Sequence, residues 1–66
     1  MTKKIQHLID HLNQLTSKRY YLKVLSNSGH QLINQDFICI LGGPFGTTPR
    51  ELKNLIEAYI KGIKKL

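Results

Sequence analysis

The eight residues Asn34-Gln35-Asp36-Phe37-Ile38-Cys39-Ile40-Leu41 decide the architecture of this 66-residue chain. If the polar triplet Asn34 to Asp36 is a turn, Phe37 to Leu41 is a strand of its own and the element order is α-β-β-β-α. If the triplet is only a bulge, the order is α-β-β-α. We adopt the turn and keep the bulge as the alternative. In either case Phe37 to Leu41 is apolar at every position, whereas a sheet covered by helices on one side should alternate. The uncovered side of the sheet is therefore a candidate contact surface.

Upstream, Tyr20-Tyr21-Leu22-Lys23-Val24-Leu25 has the aromatic and β-branched content of a strand, with Tyr20, Leu22 and Val24 on one face. Asn27-Ser28-Gly29 tolerates a left-handed backbone, so a hairpin is expected there with Gly29 at the bulge position. The second strand begins at His30. Before the first strand, Ile5, Leu8, Ile9, Leu12 and Leu15 recur at steps of three and four from Thr2 to Thr16, which is one stripe of an amphipathic helix. His7, Asp10, His11 and Gln14 fall on its other side.

Downstream, Thr48-Pro49-Arg50-Glu51 marks a helix start. Thr48 can cap the free amides, Pro49 already has helical φ, and Glu51 can bond back to the cap. The helix that follows carries Leu52, Leu55, Ile56, Tyr59, Ile60 and Ile63 in helical register, with Lys53, Glu57 and Lys61 along its outer side. The glycine-rich run Gly42 to Gly46 is then a loop in which Phe45 is expected to plug one end of the core. Residues 1–66 form a single α+β domain in this reading: two amphipathic helices on one face of a small antiparallel sheet.

Composition narrows the function classes. A chain this short removes only about 60% of its unfolded surface from water on folding, so its stability is modest. Cys39 is the only cysteine, so no disulfide forms within the chain. No run approaches the roughly 18 apolar residues of a membrane span, and no signal-peptide core follows Lys3 and Lys4, so a cytoplasmic protein is expected. Ten Lys and Arg against four Asp and Glu give a net charge of +6, which attracts phosphate or an acidic protein face.

Catalytic and metal chemistry find little support in the residues. The carboxylates Asp10, Asp36, Glu51 and Glu57 are spread over separate elements, and Cys39 is expected to be an inert packing residue in the middle of the apolar strand. His7 and His11 have a spacing that can hold a metal, but tight zinc binding needs three or four ligands, and His30 joins them only if the hairpin folds toward that side. Two solvated histidines are the reading adopted, with no metal, no cofactor and no enzymatic activity expected. Gly46 is followed by Thr47 and not by the Lys of a phosphate loop, so nucleotide cradling is not expected. Lys18, Arg19 and Lys23, with Tyr21 among them, together with Arg50 and Lys53, are the candidate binding residues, facing phosphate or an acidic partner. Lys3, Lys4, Lys61, Lys64 and Lys65, near the chain ends, are assigned to solvation.

Two resemblances add to this. The three-strand order and the run GPFGTTPRELKNL (Gly43 to Leu55) resemble the double-stranded-RNA-binding domain, in which lysines at the start of the second helix grip phosphates across the major groove. Here that stretch offers Arg50 and Lys53 with Glu51 between them. LNQLTSKRYYL (Leu12 to Leu22), the Gly29-His30-Gln31-Leu32 hairpin and RELKNLIEAYIKGI (Arg50 to Ile63) are similar to small phage and prophage proteins of Gram-positive bacteria, among them anti-CRISPR inhibitors. That resemblance implies a non-enzymatic inhibitory binding protein in the cytoplasm of a bacterial host. Its partner would be a larger macromolecule, such as a Cas nuclease or its guide RNA complex. Direct binding of double-stranded RNA or DNA is the alternative, and a homodimeric scaffold that hides Phe37 to Leu41 is a third.

Overall fold

Thr48 ends the glycine-rich loop and starts a helix. Its Oγ1 accepts a hydrogen bond from the Glu51 amide at 3.1 Å, and its carbonyl accepts one from the Leu52 amide at 2.9 Å. In the computed structural model, which describes Thr2–Lys64, the helix that follows (α2) spans Pro49–Lys64. Lys65 lies outside the described residues. Only half of the expected capping box forms: among the described residues the exposed Glu51 carboxylate makes no return bond to the cap.

The first helix, α1, spans Thr2–Thr16, and three strands follow: β1 (Tyr20–Val24), β2 (His30–Asn34) and β3 (Cys39–Leu41). The fold is thus α+β with the order α-β-β-β-α, and the sheet is antiparallel throughout in the order β1-β2-β3. Both helices cover one face of the sheet, α1 over β1 and α2 over β2 and β3. Ile5, Ile9 and Leu12 of α1 and Leu52, Ile56 and Ile60 of α2 close the core over Tyr20 and Leu32. Leu15, placed on the same stripe by its spacing, is instead exposed in the last turn of α1.

Asn34 makes the deciding turn. Its carbonyl accepts from the Phe37 amide at 3.0 Å and its amide donates to the Ile38 carbonyl at 3.1 Å. Its side-chain Oδ1 accepts from the amides of Asp36 and Ile38 at 2.9 and 3.0 Å. This is a three-residue hairpin loop whose last residue must be left-handed, and Phe37 occupies that position with φ of 62°. The β1–β2 hairpin repeats the pattern with Leu25 and Ser28, so Ser28 (φ 68°) and not Gly29 takes the left-handed position expected of the glycine. Gly29 is required for a different reason, since a Cβ there would collide with the Phe45 carbonyl.

Phe37 pays the left-handed penalty, about 1–2 kcal/mol for a residue with a Cβ, while remaining 79% exposed. Phe37→Gly therefore removes strain without removing packing. Allowing for the added freedom of glycine in the unfolded chain, it is expected to stabilise the fold by about 0.5–1 kcal/mol, a rise of several degrees in the thermal midpoint.

The uniform apolarity of Phe37 to Leu41 has a local cause that differs from the expected five-residue strand. β3 pairs Leu41 with Leu32 and Cys39 with Ile33, which leaves Ile40 as an extra, bulged residue. Ile40 and Leu41 consequently both pack against the core, while Phe37 and Ile38 belong to the turn and are exposed. The uncovered sheet face is built instead from Tyr21, Lys23, Gln31, Ile33 and Cys39. Ile33 and Gln31 are nevertheless buried there; the loop after β3 comes back over Gln31, whose Nε2 donates to the Gly43 carbonyl at 2.6 Å.

That loop is pinned where His30 and Thr47 exchange backbone hydrogen bonds at 2.7 and 2.9 Å. A Cβ on Gly46 (φ 74°) would sit 2.7–2.9 Å from the backbone of Gly29 and His30, whereas Gly43, with the same φ, faces open space. Gly43→Ala is expected to cost only the left-handed penalty of about 1–2 kcal/mol. Gly46→Ala adds a backbone collision to it and is expected to lower the urea midpoint clearly further.

Candidate functional site

An odd number of antiparallel strands between two helices makes those helices run in the same direction. α1 and α2 accordingly lie side by side with their first turns at one end of the domain. Lys3 and Lys4 of α1 meet Pro49, Arg50 and Lys53 of α2 across a groove of about 640 Å³ floored by Ile5. The groove continues between the helices as a recess of about 300 Å³ lined by Lys4, His7, Leu8, His11, Lys53 and Glu57. Lys3, Lys4, Arg50, His7 and His11 are exposed, so their charged or polar heads stand in solvent along its rims.

The electrostatics of this end are one-sided. The positive pole of each helix dipole lies in its first turn, and in α2, where Pro49 has no amide and Thr48 takes those of Glu51 and Leu52, the pole acts mainly through the dipole. Among the described residues the one ion pair is Lys53 with Glu57, 3.4 Å apart at one helical turn, and such an exposed pair contributes about 0.3–0.5 kcal/mol. Among the described residues Lys3, Lys4 and Arg50 have no carboxylate partner, so three cations and two helix poles share one groove.

The six candidate residues taken from the sequence fall into three places. Arg50 and Lys53 line the groove just described. Tyr21 and Lys23 lie on the opposite, uncovered face of the sheet, where Tyr21 stands across from Ile33 and Lys23 from Gln31. Lys18 and Arg19 are at the far end of the domain, in a recess of about 310 Å³ with Tyr20, Asn34, Gln35, Asp36, Ile40 and Tyr59. They therefore do not form one surface. The partners that the structure does give Arg50 and Lys53 are Lys3 and Lys4, the residues that proximity to the chain end assigns to solvation. The strand count carries the signal that finds them, because it sets the relative direction of the helices.

Lys18 and Arg19 sit where they do because Asn13 clamps the strand that follows them. The Asn13 Oδ1 accepts from the Tyr20 amide at 2.8 Å and its Nδ2 donates to the Tyr20 carbonyl at 3.3 Å, so one helical side chain mimics a neighbouring strand. Tyr20 then packs edge-on against Tyr59, ring centres 6.3 Å apart. Burial, with the adjacent Tyr59 second, holds the Tyr20 phenol above its ordinary pKa.

The other groups singled out from the sequence are dispersed. Cys39 is exposed at the start of β3, contrary to the buried position expected for it, because the strand begins two residues later than Phe37 and the residue faces the uncovered side. His30 is buried on β2, its ring donating from Nδ1 to the Ser28 carbonyl at 3.0 Å, away from His7 and His11 in the helix groove. Among the described residues no three His, Cys, Asp or Glu side chains group so as to hold a metal ion. Phe45, expected to plug the core, is 78% exposed at the tip of the Gly43–Gly46 turn. Among the described residues no helix is long and apolar enough to cross a membrane.

Comparison with known proteins finds no matching family model, no matching curated protein and no matching solved structure.

Proposed function

We propose that this chain is a non-enzymatic binding module that docks on the phosphate backbone of nucleic acid through the groove between the first turns of α1 and α2. The observation that carries this reading is the convergence of Lys3, Lys4, Arg50 and Lys53 with two helix N-termini at one end of a small domain. Phosphates entering such a groove displace counterions and meet cations of which, among the described residues, only Lys53 is paired with a carboxylate. The groove is open, so a continuous strand can lie in it. The resemblance to the double-stranded-RNA-binding domain leads to the same use of the second helix, with Lys3 and Lys4 supplying charge that Glu51 removes.

The test is the salt dependence of binding to duplex RNA and duplex DNA. Each phosphate contact adds about 0.9 to the fall of log affinity with log salt on a duplex, so four contacts give a slope of about 3.6. A flat response, or no binding near physiological salt, overturns the reading.

A specific observation favours a second reading, an inhibitory protein of phage type that engages a larger target such as a Cas nuclease with its guide RNA. Phe37 and Ile38 are adjacent, 79% and 58% exposed, and lie at the end of β2 away from the groove. A module that only held nucleic acid would not need this apolar tip. Nuclease inhibition that is lost in Phe37→Ser/Ile38→Ser, with nucleic-acid affinity unchanged, would support the inhibitor. Unimpaired cleavage in the presence of excess wild-type protein would exclude it for the nuclease tested.

A further inference from the structure

We infer that Phe45 is a stacking platform for an unpaired nucleobase, so that the module takes polynucleotide with single-stranded character at the groove end; this rests on the nucleic-acid reading and extends it. Phe45 is 78% exposed, yet its backbone is held from several sides. The turn that carries it is closed by the Gly46 amide donating to the Gly43 carbonyl at 3.1 Å. The Phe45 carbonyl accepts from the Asn27 Nδ2 at 3.2 Å, which ties the tip to the β1–β2 hairpin. Immediately afterwards Thr47 is locked to His30 by two backbone hydrogen bonds, and Gly46 packs so closely on Gly29 that neither tolerates a Cβ.

The result is an aromatic ring in solvent on a rigid mount. It fills no core space, since the core is closed by the helices and by Ile40 and Leu41. Its place is decisive: Phe45 is three residues before the Thr48 cap, and Pro49 and Arg50 beyond that cap line the cationic groove. A backbone phosphate in the groove thus brings the attached bases to the end of the domain where the ring stands. Bases inside a duplex have no free π-face to offer, whereas an unpaired base does, and the backbone that carries the ring is fixed before it arrives. Stacking on an exposed aromatic discriminates little among the four bases, because each has a π-face.

The chain contains no tryptophan, so Phe45→Trp creates a single indole whose emission reports on that position alone. The probes are a mixed-sequence single-stranded RNA or DNA 12-mer and the matching blunt duplex. With the single strand, the indole emission is expected to be quenched, saturating at the affinity that anisotropy measures on the oligonucleotide. Phe45→Ala is expected to weaken single-strand binding by roughly 5- to 150-fold, the range of one base–aromatic stack, and to leave the salt slope unchanged. Phe45→Leu, which keeps the apolar bulk and removes the π-face, is expected to lose nearly as much. Phe37→Trp, at the other end of the sheet, is expected to show no quenching.

Wild-type affinity of Phe45→Ala for single strands, with unchanged indole emission in Phe45→Trp, overturns the stacking role even where salt-dependent duplex binding persists. Absence of binding by the wild-type protein to either probe overturns the stacking role and the nucleic-acid reading together.

Discussion

Replacing Lys3, Lys4 and Arg50 together by glutamine is expected to cut the slope of log affinity against log salt by about 2.7, from three lost phosphate contacts at about 0.9 each. Between 50 and 200 mM salt the wild-type affinity for duplex would then fall roughly 40-fold more steeply than that of the variant. All three side chains are exposed and none forms an ion pair among the described residues, so the thermal midpoint should hardly move. The contrast with Lys18→Gln/Arg19→Gln decides between the two basic ends. Those two residues lie in the recess beside Asp36 and Tyr59, remote from the groove, and their removal is expected to leave the slope intact. An undiminished slope in the triple variant, measured by anisotropy over a salt series, would remove the groove from consideration.

The largest effect on stability is expected from Leu32→Ala. Leu32 is fully buried at the centre of the middle strand, paired with Leu22 on one side and Leu41 on the other and covered by both helices. Truncating a buried leucine costs about 2.7–5 kcal/mol because the surroundings collapse only partly into the cavity. A domain of this size rarely has more than about 3–5 kcal/mol to lose. Leu32→Ala should therefore be largely unfolded at 37 °C by circular dichroism, while Leu32→Met, which keeps the volume, should cost less than about 1.5 kcal/mol. A cooperative melt for Leu32→Ala close to that of the wild type would mean that the core is not centred on this strand.

How much of the site was legible follows from where its residues get their position. Arg50 and Lys53 are local: the Thr48 cap and Pro49 place them in the first turns of α2 whatever the rest of the chain does. Lys3 and Lys4 are not local, for they reach the same groove only if three strands, and not two, separate the helices. Local sequence at Asn34 to Asp36 suits a turn or a bulge, and the direction of α2 relative to α1, with the groove, depends on which of them forms. Phe45 was illegible for another reason. Its apolar side chain suits a core plug, and only the tether to Asn27 and the close contact of Gly46 with Gly29 hold the turn so that the ring faces outward.

The β1–β2 turn and the junction of α1 with β1 make the same point on a smaller scale. Gly29 satisfies every local rule for the bulge position, yet Ser28 takes it, because the approaching Phe45 carbonyl leaves no room for a Cβ one residue later. Asn13 carries no local signal at all. Its bonds to Tyr20 appear only once the end of α1 and the start of β1 are side by side.

By itself the sequence determined the periodic elements: apolar residues at steps of three and four, alternation in β1, and capping and turn residues at their ends act within a few bonds of the chain. The tertiary structure alone decided which face each residue of β3 shows, that Phe37 and Phe45 stand in solvent, and that Lys3 and Lys4 join Arg50 and Lys53. These depend on contacts between segments far apart in the chain, where one bulged residue reverses a face and one added strand reverses a helix.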